Sequence, residues 1–139
     1  MKTIFTFLTR YPKRALILAL LWTSLILVAC FLPGNDVPKV NIVNIDKLVH
    51  VALFGGCTFL WAIALIRTPD KMWPKLLLIF AATVGLGILV ELIQGSSLVQ
   101  GRSADVYDVI ADSVGAFFGM WISRFFLRVL FYTEDSKIS

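Results

Sequence analysis

The chain has 139 residues, of which 58% are hydrophobic and only 16% charged, and its mean hydropathy is +0.84. A water-soluble domain of this length cannot hide so much apolar surface, so the composition calls for a bilayer and leaves almost no mass for a soluble domain. The net charge of +4 is met first by cytoplasmic loops and anionic lipid headgroups, which leaves a nucleic-acid role without support.

The apolar stretches run continuously and do not alternate, so the expected fold is all-α: one helical bundle over residues 1–139. After a basic start with Lys2, Arg10, Lys13 and Arg14, residues 15–32 carry no charge and end at Pro33 and Gly34, which makes the first span. A signal peptide is the alternative there, because Leu27, Val28, Ala29 and Cys30 resemble a lipoprotein processing box. The second span, residues 48–66, is interrupted only by His50, with Asn44 or Asp46 before it as a helix cap.

The third span, residues 76–94, is entered through Trp73 and Pro74 and left through Gly95, Ser96 and Ser97. The fourth, about 105–130, carries Asp105, Asp108 and Asp112 at one end and Arg124 and Arg128 at the other, where arginines can snorkel to the headgroups. Residues 133–139 form a short polar tail. Cys30 and Cys57 are predicted to lie at different depths, too far apart to bridge, and to serve as small packing residues.

Orientation follows from the basic residues. Of the 13 lysines and arginines, 10 fall at the N-terminus, in the middle loop (Arg67, Lys71, Lys75) or at the C-terminal end (Arg124, Arg128, Lys137). The positive-inside rule then puts both termini and the middle loop in the cytoplasm, and the loops near 33–47 and 95–105 outside. On that topology six of the nine acidic residues, Asp36, Asp46, Glu91, Asp105, Asp108 and Asp112, lie on the outer side. Ionisable groups at membrane depth are costly and are expected to face the bundle interior or a watery cavity.

At about 100° per residue, Asp46 and His50 share a face one turn apart, Glu91 and Gln94 stand at i and i+3, and Asp105, Asp108 and Asp112 span about 60° of one helix. Gly115 and Gly119 continue that stripe, and with Ala111 they form a small-residue ladder that admits a neighbouring helix closely. Gly85 and Gly87 offer a similar surface on the third span. The candidate functional cluster is therefore Asp46, Lys47, His50, Glu91, Gln94, Arg102, Asp105, Asp108 and Asp112.

Asp46-Lys47-x-x-His50 opening one span, Glu91-x-x-Gln94 closing the next, and Arg102-x-x-Asp105-x-x-Asp108-x-x-x-Asp112-x-x-Gly115-x-x-x-Gly119 together resemble the VanZ-like family. The resemblance covers roughly residues 40–123. These are small bacterial membrane proteins whose founding member accompanies glycopeptide resistance operons and is associated with low-level teicoplanin resistance. One departure is Asp112, where asparagine is expected in many relatives. The resemblance implies a multi-pass protein of the bacterial cytoplasmic (inner) membrane with an envelope role.

Five acidic residues against Lys47 and Arg102 leave an excess of three negative charges, which a low-dielectric site does not sustain unless carboxyls protonate, water and ions enter, or a cation or ligand amine completes it. No HExxH or comparable ligand motif and no nucleotide-binding glycine loop is present, so neither metal nor cofactor is expected. Three readings stay open. One is an ion-pair network that clamps the loops to the bundle. Another is a binding or shielding site for a lipid-linked or peptidoglycan-related molecule, with Arg102 and Lys47 meeting phosphate or carboxylate and the acidic face meeting an amine. The third is a small membrane enzyme with Glu91 or Asp108 as general base, His50 as acid or base and Arg102 as anion stabiliser. Ion transport is disfavoured because no carboxylates continue a path toward the cytoplasmic ends.

Overall fold

The computed structural model describes residues 12–32, 45–96, 98, 99 and 101–135. Asn35, Asp36, Asn44 and Ser97 lie outside them. Among the described residues there are four helices and no strand: α1 (Pro12–Phe31), α2 (Ile45–Leu65), α3 (Met72–Gln94) and α4 (Val106–Asp135). Each is long and apolar enough to cross a membrane. Their outward faces carry exposed large side chains such as Leu21, Leu78 and Phe125, as a lipid-facing surface requires.

The helices overrun the apolar stretches that announce them. α2 begins at Ile45 and not near residue 48, so Asp46 is a first-turn residue and not a cap. α3 begins at Met72 and not near residue 76, with Pro74 in its first turn, where its fixed φ suits the helix and its missing N–H costs nothing. α4 continues to Asp135. Hydropathy marks where a helix meets hydrocarbon, whereas backbone hydrogen bonding continues into the polar turns beyond it.

The most extensive interface joins α2 to α4, which run parallel. A Cβ at Gly115 would fall onto the Val51 carbonyl oxygen, and one at Gly119 onto the Gly55 carbonyl oxygen. Backbone therefore meets backbone, an approach open only to residues without a side chain. Gly55 completes the contact against Gly115, while Gly56, on another face of α2, lies against the indole of Trp22 on α1. On α3, Gly87 abuts Asp112, whereas a Cβ at Gly85 would meet nothing within 4 Å, so only one of that pair is a packing glycine.

α1 is tied to α2 by polar bonds at membrane depth: the Trp22 indole N–H donates to the Leu53 carbonyl at 2.8 Å, and that of Trp61 to the Thr23 hydroxyl at 3.0 Å. Cys30 and Cys57 are buried and unbridged. At the end of the bundle where α2 gives way to α3, the Arg124 guanidinium lies 4.3 Å over the Trp73 ring and 5.2 Å over the Trp121 ring. Arg124 thus pairs with aromatic faces there.

Candidate functional site

The opposite end of the bundle gathers the C-termini of α1 and α3, the N-termini of α2 and α4, and the turn that precedes α4. Lys47, in the first turn of α2, is the hub. Its ammonium donates to Asp108 Oδ1 at 2.6 Å, Asp105 Oδ2 at 2.7 Å and Asp46 Oδ2 at 3.1 Å. Asp105 is not part of the α4 stripe. It stands one residue before the helix, where its Oδ1 accepts the Tyr107 N–H at 2.8 Å and caps the first turn. Those two hydrogen bonds, first the one from Lys47, hold the Asp105 carboxyl below the usual aspartate range.

One turn deeper, His50 Nδ1 lies 2.8 Å from Asp112 Oδ1, and His50 Nε2 lies 3.8 Å from Asp108 Oδ2. The two pairings Lys47 with Asp108 and His50 with Asp112 share nearly one sequence offset, 61 and 62 residues, as parallel helices in register require. The imidazole also stacks on the Phe54 ring, one turn further along α2. Asp112 is fully buried, and its Oδ2 has no hydrogen-bond partner among the described residues.

From α3, Glu91 reaches the same region, 4% exposed. Its Oε2 accepts the Asp105 backbone N–H at 2.7 Å, fastening the end of α3 to the start of α4, while its Oε1 has no partner among the described residues. His50, Glu91 and Asp108 each bring one ligating atom within 4.8 Å of the others. Local spacing does not announce this triad, because its three members come from three helices.

Two residues of the predicted cluster sit apart from it. Gln94 turns toward α1 and donates to the Cys30 carbonyl at 2.7 Å. Arg102 forms no ion pair among the described residues; it donates to the Leu32 carbonyl at 3.2 Å and the Ala29 carbonyl at 3.3 Å, capping the end of α1. The turn before α4 passes beside the carbonyls at the end of α1, so the guanidinium is spent on backbone there. Asp46 touches only Lys47 of the cluster and is largely exposed.

The arrangement is an acceptor-rich recess. One ammonium serves three carboxylates, the guanidinium is committed to backbone, and two buried carboxylate oxygens remain unspent. Such a recess suits a cation or a donor-rich group, and an imidazole oriented by a carboxylate can also pass protons.

No curated protein and no solved structure matches the chain significantly. The VanZ/LLP1 family model matches residues 3–128, nearly the whole chain, and the protein belongs to that family.

Proposed function

We propose that this VanZ/LLP1 membrane protein resides in the bacterial cytoplasmic membrane with the His50 recess facing outward, where it binds or shields a lipid-linked or peptidoglycan-related envelope molecule and so contributes to glycopeptide tolerance. The observation that carries this reading is the unspent polarity at membrane depth. Glu91 Oε1 and Asp112 Oδ2 are buried without partners among the described residues, and a structural ion-pair network has no use for unsatisfied oxygens. A headgroup or peptidoglycan-precursor moiety entering from the outer leaflet would find them beside His50. The outward orientation rests on the distribution of lysine and arginine between the spans.

A second reading, a membrane enzyme acting on the same class of molecule, draws on one contact. Asp112 fixes His50 through Nδ1 and turns Nε2 toward Asp108, as a general acid or base requires. The test is teicoplanin susceptibility of cells carrying Glu91→Gln or Asp108→Asn, scored together with the amount of folded protein in the membrane. Wild-type susceptibility at wild-type level in both variants would sink the site assignment. Turnover of an isolated lipid-linked precursor by the wild type but not by His50→Ala would select the enzyme over the binding protein.

A further inference from the structure

An envelope molecule of the kind proposed above presents phosphate or carboxylate, yet both basic residues of the cluster are already committed, Lys47 to three aspartates and Arg102 to the carbonyls of α1. Neither basic side chain is therefore free to meet it. The geometry points to a divalent transition-metal ion, zinc or manganese, held by His50 Nε2, a Glu91 carboxylate oxygen and Asp108 Oδ2, with Asp112 as the residue that positions His50.

The histidine supplies the first argument. An ionised Asp112 can only accept, so the 2.8 Å contact is donated by Nδ1–H, and the lone pair of the neutral ring then sits on Nε2. That lone pair faces Asp108 Oδ2 at 3.8 Å, too far for a hydrogen bond. Two acceptors held at this separation match two ligands of one ion: bonds of about 2.0–2.2 Å place ligand atoms roughly 3–4.4 Å apart. One donor atom from each of the three residues lies within 4.8 Å of the others, so side-chain shifts below about 1 Å complete the triad. A carboxylate holding the far nitrogen of a metal-bound histidine is the usual way such a ring is oriented.

The second argument is independent of the cluster's composition. Glu91 is 4% exposed and leaves Oε1 without a partner among the described residues, a state a buried carboxylate oxygen does not sustain unless something meets it. Charge agrees. The five carboxylates of the cluster against Lys47 and Arg102 leave three negative charges in excess, and a divalent ion cancels two of them. The imidazole selects zinc or manganese over magnesium or calcium, which favour oxygen alone. Three protein ligands leave a coordination position open, and the phosphate or carboxylate of the envelope molecule would take it. This inference rests on the ligand reading only for that last role.

The experiment uses the full-length protein purified in detergent, stripped with chelator and re-equilibrated with zinc, manganese or cobalt. One ion per chain by elemental analysis is expected, with a rise in melting temperature. Visible cobalt bands should appear and be lost in His50→Ala. Affinity should fall at least about tenfold in Glu91→Gln and in Asp112→Asn, and stay unchanged in Gly85→Ala. No stoichiometric ion in folded wild-type protein overturns the proposal, as does an ion that His50→Ala and Glu91→Gln, both shown folded by melting, bind equally well. Glycopeptide susceptibility of the same variants separates the two readings. A phenotype lost in Glu91→Gln with no ion bound by the wild type removes the metal alone, whereas a bound ion with susceptibility unchanged keeps the metal and removes the envelope ligand.

Discussion

His50 meets Asp112 at 2.8 Å because, one helical turn further along α4, Gly115 lets the backbone of α2 at Val51 rest directly on α4. The chemistry of the recess and the closest backbone contact of the bundle are adjacent turns of one interface. A change in one is felt in the other.

Gly115→Leu is therefore expected to force α2 and α4 apart and to cost roughly 1–3 kcal/mol or more, as overpacking of a tight interface does. Gly85→Ala, where a Cβ meets nothing within 4 Å, should be neutral or slightly stabilising. Thermal unfolding in detergent alongside membrane yield reads both, and a wild-type melting curve for Gly115→Leu would refute the backbone-on-backbone contact.

Arg102→Ala should release the end of α1 rather than unbalance the carboxylates. Losing two charge-assisted bonds to the Ala29 and Leu32 carbonyls at a partly exposed site costs about 1–3 kcal/mol. Any envelope phenotype should fall in proportion to folded protein, and Arg102→Lys should recover part of the melting temperature. A lost phenotype at full stability would instead give Arg102 a direct ligand role.

Lys47→Met removes the one ammonium that serves Asp46, Asp105 and Asp108, and the loss depends on pH. The Asp105 carboxyl is held below its ordinary value of 3.8 in the folded protein, so its contribution is fully present above 3.8 and is lost as pH falls through the lower folded value. The gap in melting temperature between wild type and Lys47→Met should thus be widest near neutrality and close in strong acid. A gap that widens on acidification would contradict the pairing.

Orientation is checked by single cysteines at Leu98 and Asp70 in a chain whose own cysteines are replaced. Leu98 is exposed in the connection between α3 and α4, and Asp70 lies in that between α2 and α3. An impermeant thiol reagent applied to intact cells should label position 98 and spare position 70. The reverse result would move the recess to the cytoplasmic side.

The four helices were legible because each apolar run is long and its ends carry Pro, Gly or charge; their ends were legible only to within a few residues, since Asp46 and Lys47 look like loop residues yet form a helical turn. The periodicity of Asp108 and Asp112 foretold one acidic face, and the Gly115 and Gly119 ladder foretold that this face is the packed one. The spacing could not say which helix would lie against it, so the His50–Asp112 pair and the approach of Glu91 emerged only in three dimensions. The partner surface on α2 carries the matching signal, since Val51 and Gly55 repeat at the same four-residue interval as Gly115 and Gly119. Arg102 was legible only as a charge near the cluster, because nothing in the spacing shows that the carbonyls at the end of α1 lie within its reach.

The parallel course of α2 and α4 has an electrostatic consequence. Antiparallel neighbours set opposite dipole ends side by side, but these two helices bring both N-termini to the recess, each equivalent to roughly half a positive charge. The charged side chains are sorted to match. Asp46 and Asp108 occupy the first turns of α2 and α4, Asp105 caps α4, and Arg102 sits at the negative end of α1. Glu91, though carried at the C-terminal end of α3, spends its bonded oxygen on a peptide N–H at the head of α4. The peptide backbone itself thus offsets part of the negative charge in a place where the side chains offer only one ammonium.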